Sequence, residues 1–159
     1  MKNIIILLVA IALFTSCNST KKVDNQSLYQ KLDFKQIDAQ YDNFNQERIL
    51  VSNKEGIQLK KGAIILLITS DGNMGKMEIV SVNPDENYKI TFNYTIYNND
   101  GSIKSNKDNY ELKGTWIFDF DKESDEAISS DKDIWNNRED DFTTYLYTEN
   151  EVNIYLIPQ

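Results

Sequence analysis

Residues Tyr88 to Tyr97 alternate strictly between apolar and polar side chains, and this period of two constrains the fold more than any other feature of the chain. Tyr88, Ile90, Phe92, Tyr94 and Ile96 point one way, while Lys89, Thr91, Asn93 and Thr95 point the other. One face is core and the other meets solvent, which is the pattern of an antiparallel sheet covered on one side. Ala63 to Ser70 (AIILLITS) is apolar almost throughout and predicts a strand buried on both faces. Asp71-Gly72-Asn73 supplies its turn, and Lys76 to Val82 returns as the second arm of a hairpin. After the turn signal Asn98-Asn99-Asp100-Gly101, the alternation resumes from Tyr110 to Phe120, with Gly114 marking a bend or bulge. Phe142 to Thr148 and Val152 to Ile157 read as a closing hairpin through Glu149-Asn150-Glu151. The expectation is an all-β domain, an antiparallel meander of six or seven strands forming a small barrel or a sandwich. Pro occurs only at Pro84 and Pro158, so it interrupts none of the strands.

The start of the chain has a different character. Met1-Lys2-Asn3 is a short basic opening, Ile4 to Phe14 is an unbroken apolar run, and Thr15-Ser16 precede Cys17. That order is a secretion signal, and the run falls short of the roughly 20 residues a membrane-spanning helix needs. Phe14-Thr15-Ser16-Cys17 resembles the lipobox of bacterial lipoproteins, with Phe14 where Leu is usual. The resemblance implies cleavage before Cys17 and attachment of fatty acyl chains, such as palmitate, to its sulfur and its new amino group. Each buried methylene contributes about 0.8 kcal/mol, and two or more chains hold a protein at a membrane where one does not. An ordinary secretory signal with an incidental Cys is the other reading. Asn18 stands where some lipoproteins carry an inner-membrane retention Asp, which leans toward the outer membrane of a Gram-negative envelope.

The domain division expected is a signal peptide over residues 1–16, a lipidated Cys with a polar tether or one short helix over residues 17–45, and a β-domain over residues 46–159. Leu28 and Leu32 at helical spacing, with Ser27 and Gln30 as a capping box, support the helix. From Tyr88 onward the chain also resembles the second half of small bacterial lipocalin-like domains. The elements that carry it are Ile90 to Tyr97, Asp100-Gly101, Gly114-Thr115-Trp116 and Phe142 to Ile157. That resemblance implies a barrel ending in a hairpin.

Charge and residue types exclude several functions. The formal charge is −8 and Arg occurs only at positions 48 and 138, so no basic surface is available to grip nucleic-acid phosphates. With no His and one Cys, zinc sites built on those ligands, His general bases and intramolecular disulfides are absent. Residues 119–141 hold ten acids against three bases and read as an acidic loop. Asp119, Asp121, Glu123 and Asp125 alternate like the oxygen ligands of a calcium loop, although Ser124 and Ser130 replace the turn Gly and the bidentate Glu. Trp135, without periodic context, is either a plug or a contact for a ligand or partner. The reading is a non-enzymatic envelope lipoprotein without a resident cofactor, binding a small ligand or an envelope protein. A carboxylate-dependent glycan-acting enzyme and a toxin-neutralising, immunity-type lipoprotein are the alternatives.

Overall fold

The computed structural model describes residues 26–127, 132–148 and 152–158. Two short helices, α1 (Leu28–Lys31) and α2 (Phe34–Asp38), lead into eleven strands among those residues. They are β1 (Arg48–Asn53), β2 (Gly56–Ile57), β3 (Ile64–Ile68), β4 (Met74–Asn83), β5 (Lys89–Tyr97), β6 (Ile103–Leu112), β7 (Ile117–Asp119), β8 (Ser124–Glu126), β9 (Ile134–Arg138), β10 (Thr144–Thr148) and β11 (Asn153–Leu156). All pairings are antiparallel. They form a six-stranded sheet in the order β2-β1-β10-β9-β7-β8 and a five-stranded sheet in the order β11-β3-β4-β5-β6.

The predicted face of β5 is the core face. Ile90, Phe92, Tyr94 and Ile96 are buried between the sheets against Ile49, Val51, Phe118, Ile134 and Leu146 of the opposite one. β3 serves two layers: Ile65 and Leu67 enter this central core, whereas Ile64, Leu66 and Ile68 face outward. That outward row is covered by the helices, through Ile37, Leu32 and Phe34, and by Phe44. Of the two readings for the stretch before the β-domain, residues 27–38 take the helical one, as two helices rather than one. Ser27 with Gln30 and Asp33 with Gln36 each form a reciprocal capping box, so two separate starts lie within six residues. Lys76, buried on β4, donates to the carbonyls of Tyr29 and Leu32 at 2.6 Å each and sits 4.4 Å from the centre of the Tyr29 ring. It ties α1 to the sheet by satisfying carbonyls that a helix end leaves open.

The all-β antiparallel expectation holds in its sandwich form, and several finer expectations give way. The meander holds only for β3 to β6, because the chain changes sheets between β6 and β7. The corner lies at Lys113 to Trp116, where Thr115 adopts φ +70° and a Cβ on Gly114 would stand 1.6 Å from the Asn87 carbonyl oxygen. A bend was expected at Gly114; what it makes is a sheet exchange. The closing hairpin does not form either, since β10 pairs with β1 and β9 while β11 pairs with β3 in the other sheet. No closed barrel results: the sheets pack as a small sandwich with β2, β8, β11 and β6 at the edges. Residues 119–141 are not one loop, because they contain β8, β9 and the end of β7.

Gly114→Ala is expected to destabilise the domain by about 2–3 kcal/mol, since the backbone of Asn87 must move to admit the methyl group. Phe92→Asp buries an unpaired charge and should abolish cooperative melting, while Thr91→Gln on the opposite face changes stability by no more than about 0.5 kcal/mol. Equal tolerance of the two substitutions on β5 in thermal melts would refute the assigned faces.

Candidate functional site

The acids at positions 119 to 125 alternate for a structural reason. Asp121 accepts from Lys104 of β6 at 2.8 Å, and Glu123 accepts from the Tyr94 hydroxyl of β5 at 3.4 Å. Asp125 faces the Tyr110 phenol of β6, and burial together with that hydrogen bond raises the phenol's pKa. Asp121, Glu123 and Asp125, at alternate positions, therefore reach across to the five-stranded sheet. No ladder of backbone hydrogen bonds joins β8 to β6, and three acidic side chains bridge that gap instead.

The four residues with calcium-loop spacing are consequently split. Asp119 and Asp121 converge with Asp133, their carboxylate oxygens lying within 4.8 Å of one another, whereas Glu123 and Asp125 serve the two phenols. All three converging carboxylates already have donors. Asp119 accepts from the backbone N–H groups of Asp121 and Lys122 at 2.9 Å each and pairs with the Lys122 ammonium at 3.1 Å. Besides Lys104, Asp121 accepts from Asn73 Nδ2 at 2.9 Å and from the Asp71 N–H at 3.1 Å. Asp133 is fully buried and accepts from the Ser70 N–H at 2.8 Å and the Phe120 N–H at 2.7 Å. The cluster thus pins the β3–β4 turn to the end of β7. The partners Asp133, Asn73, Lys104, Tyr94 and Tyr110 carry no spacing signal relative to residues 119–125, since tertiary folding alone brings them there.

Burial pushes the Asp133 carboxyl up to about 6, with the negative charge of Asp121 adding to the rise and the Ser70 and Phe120 donors opposing it. Asp121 moves the other way: its burial is outweighed by hydrogen bonds from Lys104, Thr69 and Asn73, which hold it below the usual carboxylate range.

Trp135 lies on β9 rather than in a loop, so it plugs no barrel. It is half-buried on the outer face of the six-stranded sheet, opposite Tyr147 in register, with ring centres 6.2 Å apart. Its Nε1 donates to the Thr115 carbonyl at 3.3 Å, and the Lys132 ammonium sits 4.5 Å from its ring centre. Tyr145 and Arg48 extend the face: the Arg48 guanidinium lies 4.8 Å from the Tyr145 ring centre and donates to the Tyr147 hydroxyl at 3.4 Å. The same hydroxyl donates to Glu139. Rigid aromatics beside Arg are the residue types that dominate protein interfaces, and among the described residues no helix covers this face as α1 and α2 cover the other sheet. Sequence reasoning singled out Trp135 but could not set Tyr145, Tyr147 and Arg48 beside it, since these come from β10 and β1.

Cys17, the expected lipidation site, lies outside the described residues. No helix among the described residues is long and apolar enough to cross a membrane. Comparison with known proteins returns no matching family model, no matching curated protein and no matching solved structure.

The Asp133 arrangement makes stability depend on pH in a defined direction. Its pKa is higher folded, about 6, than unfolded, 3.8, so the native state binds the proton more tightly. This contribution, at most about 3 kcal/mol, is fully present below about pH 4 and is lost as pH rises through 6. Asp133→Asn should therefore show its largest deficit relative to the parent protein near pH 4, shrinking toward pH 7. Urea melts at each pH measure it, and a deficit that grows with pH would refute the assignment. Calcium and magnesium should raise the melting temperature about equally and weakly, through screening, because Glu123 and Asp125 are turned away from Asp119 and Asp121.

Proposed function

We propose that this protein is a lipid-anchored lipoprotein of a bacterial cell envelope, outer-membrane sorted, whose β-sandwich binds a ligand or an envelope protein and catalyses no reaction. The observation that carries the reading is the order of basic start, apolar run and Phe14-Thr15-Ser16-Cys17.

Binding is favoured over catalysis by how the acids are used. A glycan-acting enzyme needs two carboxylates facing each other across a cleft, with one pKa raised. The acids from Asp119 to Asp125 and Asp133 are instead committed to backbone N–H groups, lysines and phenols that hold the sandwich together. The face around Trp135, Tyr145, Tyr147 and Arg48, over which no described helix packs, supports a protein contact. The toxin-neutralising reading draws on the acidic balance of the chain, which would accelerate association with a basic partner at low salt.

Metabolic labelling with a fatty-acid probe tests the anchor. Label should appear on the parent protein and be absent from Cys17→Ala, which is released from the membrane or left unprocessed. An unlabelled parent protein would sink the proposal. Cleavage of an envelope glycan by the purified protein, lost on replacing a single acid, would put the enzymatic reading in its place.

A further inference from the structure

A cleft of about 560 Å³ opens between α1 and the outer face of the five-stranded sheet. Its lining includes Tyr29 of α1, Lys61, Glu78 and Val80 of β4, Asn93 of β5 and Asp108 of β6. α1 is held to the sheet beside it by Lys76, whose ammonium is turned to the Tyr29 and Leu32 carbonyls, and by the hydrogen bond between the Tyr29 and Thr95 hydroxyls at 2.9 Å.

We propose that this cleft binds an alkylammonium or alkylguanidinium group, supplied either by a free polyamine or by a Lys or Arg side chain of a protein partner. This deepens the reading of the domain as a binding module and rests on it, but it does not depend on the lipid anchor.

Three observations carry the proposal. The first is charge. Glu78 of β4 and Asp108 of β6 line the cleft, with Lys61 the one basic lining residue among those described and the buried Lys76 ammonium, committed to the Tyr29 and Leu32 carbonyls, interacting with Glu78 nearby. Both carboxylates act on one point: after burial, their charges contribute to driving the Tyr29 hydroxyl up to about 12. The acids of residues 119–125 are spent on internal partners, so the cleft differs in kind from the rest of the acidic surface.

The second is orientation. Asn93 on β5 holds its amide in one sense, its Oδ1 accepting from the Asn109 N–H at 2.9 Å and its Nδ2 donating to Glu78 Oε2 at 3.0 Å. Glu78 is thereby set before any ligand arrives, which reduces the ordering cost of binding.

The third is the sheet itself. The register shifts between Ile79 and Ser81 where β4 meets β5, and between Phe92 and Tyr94 where β5 meets β6. Asn109 takes φ +54° at the second of these. Paired bulges under a cleft break the even pleat and re-aim side chains. The Tyr29 ring and Val80 offer apolar surface for the methylenes of the ligand, beside carboxylates for its charged head.

The test is calorimetric titration of the mature protein at physiological salt with spermidine and, separately, with hexalysine. At least one should bind saturably at one site. Glu78→Gln combined with Asp108→Asn should weaken that binding at least tenfold with the melting temperature nearly unchanged, since Gln still accepts from Asn93. Glu55→Gln, on the β1–β2 turn away from the cleft, should leave binding unchanged. Tighter spermidine binding identifies a free polyamine as the source, and tighter hexalysine binding identifies a protein side chain. The inference is overturned if neither probe saturates, or if Glu55→Gln weakens binding as much as the cleft substitutions do. It is also overturned if the double variant binds the tighter probe as well as the parent does, a result that would leave the binding-module reading standing.

Discussion

The domain is organised by a strand that cannot be left exposed on either side. Ile64, Ile65, Leu66 and Leu67 of β3 are all buried, and alternation sends neighbouring side chains to opposite faces of the sheet. One face requires a second sheet and the other requires a further layer. The six-stranded sheet meets the first demand, and the two short helices meet the second. Neither helix is long enough to stand alone in water. They exist because Ile37, Leu32 and Phe34 find apolar surface, because two capping boxes satisfy their first N–H groups, and because Lys76 takes the carbonyls at the end of α1.

Closing the sandwich is a matter of polar side chains. Backbone pairing stops at β8 and β6, and the gap is bridged by Lys104 with Asp121, Tyr94 with Glu123, and Tyr110 with Asp125. Hydrogen bonds between charged and neutral groups at partly buried positions are stronger than those on open surface, so a short acidic segment can substitute for a strand ladder. The same chemistry leaves the carboxylates of this segment poorly placed to serve a cation. Asp133, taken fully out of water, shows how far the arrangement favours fold over solvation.

Two surfaces among the described residues stand out, and they differ in chemistry. The outer face of the six-stranded sheet presents Trp135, Tyr145 and Tyr147 with Arg48, an amphipathic surface suited to a protein. The cleft beside α1 presents Glu78 and Asp108 on a bulged floor, a concave and negatively charged surface suited to a cationic group. They lie on opposite sides of the molecule because each belongs to the outward face of a different sheet.

Local pattern determined the all-β class, the core face of β5, the double burial of β3 and the turns at Gly72 and Gly101, because each depends on neighbours within a few residues, but it counted six or seven strands where eleven form among the described residues and took β8 and β9 for loop. It also carried the capping box at Ser27, although not the division into two helices, which depends on Asp33 capping a second start. What local pattern could not determine was which strands share a sheet. The change of sheet at Gly114 and the separation of β10 from β11 depend on contacts with Asn87 and with β3, far away in the chain. The candidate sites follow the same division. Trp135 and the alternating acids were visible as residues, but their partners Arg48, Tyr147, Tyr94 and Lys104 come from other strands, as do Glu78, Asn93 and Asp108 of the cleft. A period of two tells each side chain which face to take, and only the packing of one sheet on the other decides what it meets there.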